Sequence, residues 1–193
     1  MPRNATSGST SKTTRRAAPK KSAKPDAVRM LTDDHKKVKK MFDEFEKIKE
    51  KEGMEEQKQL LVETACAELT IHAQLEEEIF YPAARDAIEE MDLLDEAEVE
   101  HASAKQLITE LSAMQPGDDL YDAKFTVLGE YVKHHVEEEE KQLFPLVKKS
   151  EMDLAELAQE MQERKLVLRE ELGFMADEAE EEEEEDKARR KLH

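Results

Sequence analysis

The sequence predicts an all-α fold, an up-down-up-down antiparallel four-helix bundle with an extra C-terminal helix and disordered charged tails. Three observations predict it. Only 5% of the 193 residues are aromatic, with five glycines and no tryptophan, which argues against a turn-rich sandwich or barrel. Charged residues reach 40%, which suits long helices with solvated outer faces. Between the two ends, apolar residues recur every three or four positions in five segments, the first four of them long and joined by short connections.

Residues 1–25 carry Ser, Thr, Ala, Pro, Lys and Arg and almost no large apolar side chain. Burial there cannot offset the entropy of ordering, so a disordered basic tail is expected. Arg15, Arg16, Lys20, Lys21 and Lys24 can each approach a phosphate, which makes nucleic acid or an acidic partner the functional reading; a solubilising leader is the bland one.

The bundle is expected over residues 26–150. Its first helix runs from about Asp26 to Lys51 and stops near Gly53, and its second runs from about Glu55 to Glu89, with Pro82 bending it or ending it early. A third covers about Leu93 to Met114. Pro116, Gly117, Asp118 and Asp119 form a turn, and a fourth helix follows from about Leu120 to Lys149, with Pro145 near its end. Residues 151–173 hold an accessory helix, about Asp153 to Leu172, whose Leu154, Leu157, Met161 and Leu168 either brace the bundle or meet a partner helix. Residues 174–193 form an acidic run, Asp177 to Asp186, followed by basic Lys187, Arg189, Arg190 and Lys191. Blocks of like charge stay extended, and an embrace between the two tails would weaken with salt.

A net charge of -18 repels nucleic acid and anionic membranes on average, although it hides opposite charges at the two ends. No stretch approaches the roughly 18 apolar residues of a membrane span, and the N-terminus has no secretory apolar core, so no membrane partner is expected. Cys66 is the single cysteine. It excludes an intramolecular disulfide and points to a reducing compartment, the cytoplasm.

The chemistry lies in histidines that fall on core-facing stripes, because residues three and four apart share a helix face. His35 fills the step between Leu31 and Val38, and His101 the step between Ala97 and Ala104. In the second helix Leu69 is followed by His72, Glu76 and Ile79, and in the fourth Val132 is followed by His135, Glu139 and Leu143. Two inward carboxylates in a bundle need cations or protons nearby, since an unpaired buried charge costs several kcal/mol. The spacing repeats: His72, Glu76 and Pro82 stand at the same offsets as His135, Glu139 and Pro145. Two helix pairs, each giving one histidine and one His-x3-Glu, suggest two metal positions bridged by the glutamates.

The bland alternative is core histidines in ordinary polar networks, with the glutamates turned outward. His134 is off the stripe and expected to be exposed, and His193 lies in a tail. Glu77, Glu78, Glu137, Glu138 and Glu140 are expected mostly on solvated faces, with Glu140 able to replace Glu139 if the helix winds differently. No Gly-rich phosphate loop, paired-cysteine motif or Ser/His/Asp arrangement is present.

At Asp34-His35, His72-x3-Glu76 with Phe80-Tyr81-Pro82, Glu100-His101, and His135-x3-Glu139 with Phe144-Pro145, the sequence resembles the hemerythrin-like, HHE cation-binding family over roughly residues 27–149. The resemblance implies a non-haem di-iron centre inside the bundle. Oxygen carriers of that family have a fifth histidine where this chain has Lys105, and an aspartate where it has Glu139. Both departures imply a more open site than a carrier's. Imidazole and carboxylate suit iron, with zinc and manganese as competing divalent metals.

Three functions follow as expectations. The first is a di-iron protein that binds, senses or turns over oxygen, peroxide or nitric oxide, with weak peroxide-decomposing activity open to it. The second is an iron-handling protein that donates or holds iron for repair. The third is a tail-mediated interaction protein whose metal only stabilises the bundle. Asp34, Glu100 and Lys105 are candidates for orienting the ligands through hydrogen bonds.

Overall fold

Asp26 begins the first helix as its N-cap, accepting a 2.9 Å hydrogen bond from the Arg29 amide that would otherwise have no partner. The computed structural model describes residues 26–173. The tails predicted over 1–25 and 174–193, and His193, lie outside the described residues.

Helix α1 (Ala27–Ile48) buries Val28, Leu31, His35, Val38 and Phe45, a stripe at helical spacing. The chain turns at Gly53, whose φ of 76° is the left-handed conformation glycine adopts most readily, and enters α2 (Glu55–Leu75). Pro82 does not end this helix. Glu76–Phe80 open into a π-turn, closed by the Tyr81 N–H on the Glu76 carbonyl, and the helix continues as α3 (Tyr81–Ala87). A proline gives no N–H and crowds the carbonyl four residues back, and the wider turn carries the chain past it.

A short connection leads to α4 (Met91–Ser112), and the predicted turn follows, with the Gln115 amide donating to the Asp118 carboxylate at 2.8 Å. Leu120, in the left-handed region at φ 71°, precedes α5 (Tyr121–Glu138). The π-turn recurs over Glu139–Leu143, closed by the Phe144 N–H on the Glu139 carbonyl, before α6 (Phe144–Val147) with its Pro145. The four long helical stretches pack in a closed ring, α1 beside α2 and α5, and α4 beside the same two. Short connections make neighbours in sequence antiparallel, the arrangement expected.

The accessory helix α7 (Leu154–Glu171), N-capped by Asp153, lies on α1 and α2 and buries Ala158, Met161 and Leu168. It braces the bundle. Three ion pairs tie it down: Arg164 to Glu78 at 2.6 Å, Lys165 to Asp34 at 2.7 Å, and Arg169 to Glu68 at 3.1 Å.

Two hydrophobic cores fill the bundle. One gathers Leu31, Leu75, Phe80, Leu94, Phe144 and Val147 together with the buried face of α7. The other gathers Val38, Phe45, Val62, Leu69, Leu111, Phe125 and Leu128. Each fully buried Leu or Phe contributes about 1.5–3 kcal/mol of transfer free energy. The predicted histidines fall between the cores in sequence and in space: His35 separates Leu31 from Val38, and His72 separates Leu69 from Leu75. Among the described residues no helix is long and apolar enough to cross a membrane.

Candidate metal centre

The structure brings all six predicted residues together, and all six are buried. His35, His72, Glu76 and Glu139 each place a donor atom within 4.8 Å of the others, and Glu76, His101 and His135 do the same beside them. Glu76 belongs to both groups.

The imidazoles meet in pairs. His35 Nε2 stands 3.2 Å from His72 Nε2, and His101 Nε2 stands 3.2 Å from His135 Nε2. Three of the four rings direct Nδ1 at a carboxylate: His35 at Glu140 (3.0 Å), His101 at Glu77 (2.9 Å) and His135 at Glu100 (2.9 Å). A neutral ring that donates through Nδ1 has a lone pair on Nε2. In the His101–His135 pair, where both rings are held by Nδ1, the facing nitrogens are then acceptors with no proton between them. Donors 3.2 Å apart suit adjacent vertices of one coordination sphere with bonds of about 2.1 Å.

The carboxylates cross between the halves. Glu76 Oε2 lies 3.2 Å from His72 Nε2 and 3.3 Å from His101 Nε2, while Glu139 Oε2 lies 3.2 Å from His35 Nε2 and 3.5 Å from His135 Nε2. Glu76 Oε1 and Glu139 Oε2 are buried without a hydrogen bond. Burial, and then the Glu139 carboxylate, push Glu76 well above the usual carboxylate range. Glu139 is buried too, yet the neighbouring histidines, His35 foremost, hold it down at about 2. Burial lowers His72 to about 4 and keeps it neutral, as a ligand must be. His35 and His135 are buried as well, but the nearby carboxylates, Glu139 beside the first and Glu100 beside the second, raise them. Orphaned carboxylate oxygens and bare, facing imidazole nitrogens fit two divalent cations better than they fit each other.

The Tyr81 hydroxyl donates to Glu139 Oε1 at 3.0 Å and lies 3.4 Å from Glu76 Oε2 and 3.5 Å from His101 Nε2. Its own ionisation is suppressed by burial and by both glutamates.

Glu140 is exposed as expected and Glu77 half-buried, but neither is only a solvated face: each hydrogen-bonds a histidine of the cluster from an adjoining helical stretch. The signal was the doubled glutamate at the end of each His-x3-Glu. Glu139, not Glu140, faces inward, one helical turn after His135 and on the same face. Glu78 meets Arg164. Glu100 takes the orienting place expected of it on His135, Asp34 stands 3.8 Å from His72 Nδ1 without a hydrogen bond, and Lys105 binds Glu77 at 2.7 Å, one step behind His101. His134 is 68% exposed at its side chain, as its register predicts.

A cavity of about 40 Å³ lies against the four histidines, walled on its other side by Val38, Leu69, Ala104, Ile108 and Val132. That is room for one or two water-sized molecules. Lys105 and Tyr131, both part-exposed, line it as well.

Comparison with known proteins places this geometry. The family model for the hemerythrin HHE cation-binding domain matches residues 26–147. A DNA nickase of Nostoc sp. (strain PCC 7120 / SAG 25.82 / UTEX 2576) is 29% identical over 123 residues, 64% of this chain and 33% of that protein. The chain therefore spans about a third of the length of this curated relative. A hemerythrin HHE cation-binding domain-containing protein from Mycobacterium kansasii, known from its crystal structure, superimposes with a TM-score of 0.63 at 24% identity, over 76% of this chain and 89% of that one. At that identity the likeness speaks to the fold.

Proposed function

This chain belongs to the hemerythrin HHE cation-binding domain family, and on that premise we propose that it is a non-haem di-iron protein that binds, senses or turns over a small oxidant: oxygen, peroxide or nitric oxide. The observation that carries the reading is the pair of buried glutamates, each within 3.5 Å of histidines from both halves of the bundle, with oxygens that no donor satisfies. His35 and His72 would hold one iron and His101 and His135 the other, with Glu76 and Glu139 as the carboxylates in reach of both.

Iron in this ligand set supplies a redox-active Lewis acid. The residues around it do the rest. Glu140, Glu77 and Glu100 hold three rings by their Nδ1 atoms, so that each Nε2 stays aimed at the centre. The cavity beside the histidines has a largely apolar wall and room for a diatomic molecule or peroxide. Tyr81 holds a proton 3.0 Å from Glu139. Lys105, where oxygen carriers of the family have a fifth histidine, binds Glu77 instead, so an iron held beside His101 would have one imidazole fewer to bind it.

From the cyanobacterial relative only the shared bundle is carried over, since two thirds of that protein has no counterpart here. The cytoplasmic location expected from the lone Cys66 stands as part of this proposal.

The test is the metal content of the full chain after anaerobic reconstitution with ferrous iron, with visible spectra before and after reduction and exposure to oxygen, peroxide or nitric oxide. Two irons per chain and a spectrum that responds to one of these ligands are expected. A chain that takes up no metal would overturn the reading.

A further inference from the structure

The four histidines are backed in a pattern that repeats across the two halves and fails at one place. Glu77 and Glu140, each one residue beyond an inward glutamate, back the histidine of the opposite half, His101 and His35. Asp34 and Glu100, each one residue before a histidine, face the second histidine of their own half. Glu100 reaches His135 Nδ1 at 2.9 Å, but Asp34 Oδ2 stops 3.8 Å short of His72 Nδ1. Both of those facing atoms are buried and form no hydrogen bond.

The difference between the halves is Lys165. Its ammonium binds Asp34 Oδ1 at 2.7 Å, with the lysine side chain 9% exposed and the aspartate 12%. Glu100 has no lysine in that place; its other oxygen stands 3.6 Å from exposed His134. Lys165 belongs to α7, beyond residue 147 where the family match ends. The helix outside the recognised domain thus reaches the partner of a predicted metal ligand.

We infer that Lys165 is a positioning residue of the metal centre: by holding Asp34 away from His72 it makes His72 the most weakly backed of the four imidazoles, and so sets how readily the ion on that side is released. This rests on the di-iron reading above. A carboxylate engaged by an ammonium is a poorer acceptor for an imidazole N–H, and an imidazole without that acceptor is less basic at its other nitrogen and freer to turn. Lys165 also places a buried positive charge on the His72 side, which disfavours a cation there.

The experiment uses the full chain loaded anaerobically with two ferrous ions, challenged with an excess of a chromophoric chelator, and compared with Lys165→Met and Lys165→Arg. The wild type should release iron in two phases. Lys165→Met, which keeps the apolar stem but loses the charge, should slow the fast phase about tenfold and leave the slow phase unchanged, the size expected for partners of ligand histidines. Lys165→Arg should retain both phases. A purely structural role for Lys165 predicts the opposite sign, because a loosened α7 would speed both. If Lys165→Met does not fold, Lys165→Gln, which keeps a neutral donor, carries the same expectation. Single-phase release by the wild type, or a fast phase that the charge-removing variant leaves unchanged or accelerates, would overturn the inference and leave the di-iron reading intact. Failure of the wild type to take up iron would overturn both.

Discussion

Tyr81 and Glu139 are 58 residues apart, and the hydroxyl of the first donates to the second at 3.0 Å in the middle of the bundle. The place that corresponds to Tyr81 in the second half is held by Phe144, which is equally buried and has no hydroxyl. Tyr81→Phe should therefore fold. Loss of one buried hydrogen bond to a charged acceptor should cost about 1.5–3 kcal/mol in the metal-free chain. Bound iron should stay at wild-type stoichiometry while its visible spectrum shifts, because Glu139 loses its one neutral donor. Urea unfolding in the presence of a chelator and absorption of the loaded chain measure the two effects.

Replacing Glu76 and Glu139 together with Ala should abolish binding of two irons, since these are the groups that reach both halves. Retention of two irons by the double variant would sink the bridging assignment. His135→Ala should lose iron from one position, whereas His134→Ala, at an exposed position, should keep both and change stability by no more than about 0.5 kcal/mol.

Glu68 is buried on α2 and bound by Arg169 at 3.1 Å and by Lys37 at 3.3 Å. Glu68→Ala leaves a buried guanidinium without this carboxylate, a change that should cost about 3 kcal/mol or more. Limited proteolysis should then cut first at the ends of α7, because that ion pair helps to hold the helix on the bundle. Equal protease resistance in the variant would contradict this.

Cys66 is a buried thiol, pushed up to about 12 by burial and by Glu63. Its ordinary value is 9.0, so the folded state favours the protonated form. The associated stability is fully present below pH 9 and is lost as pH rises from 9 toward 12, by about 1.4 kcal/mol per unit. Urea unfolding at pH 7.5 and pH 10.5 should show a steeper loss in the wild type than in Cys66→Ala. Native Cys66 should also resist alkylating reagents until the chain unfolds.

The apolar periodicity located His35, His72, His101 and His135 because helical phase is a local property: three or four residues along the chain always return to the same face. The same rule placed Glu76 and Glu139 inward and His134 outward. It did not find the hydrogen bonds of Glu77 to His101 or of Glu140 to His35. Those depend on which helix stands beside which, and on a π-turn that shifts the phase of everything after each inward glutamate. Pro82 was legible as an interruption, but propensity alone does not distinguish a break from a wide turn. Lys165 was not legible as part of the centre, since its partner Asp34 lies 131 residues away and only the docking of α7 joins them.

The two wide turns bear on the history of the chain. Each begins at the glutamate four residues after a histidine, and each ends just before an aromatic residue and a proline. A π-turn amounts to one residue inserted into a regular helix. Two separate insertions at matching positions are a less economical account than a single insertion in an ancestral helix pair that was later copied and fused. Such a copy leaves the two halves free to differ, as Tyr81 opposite Phe144 and Asp34 opposite Glu100 do.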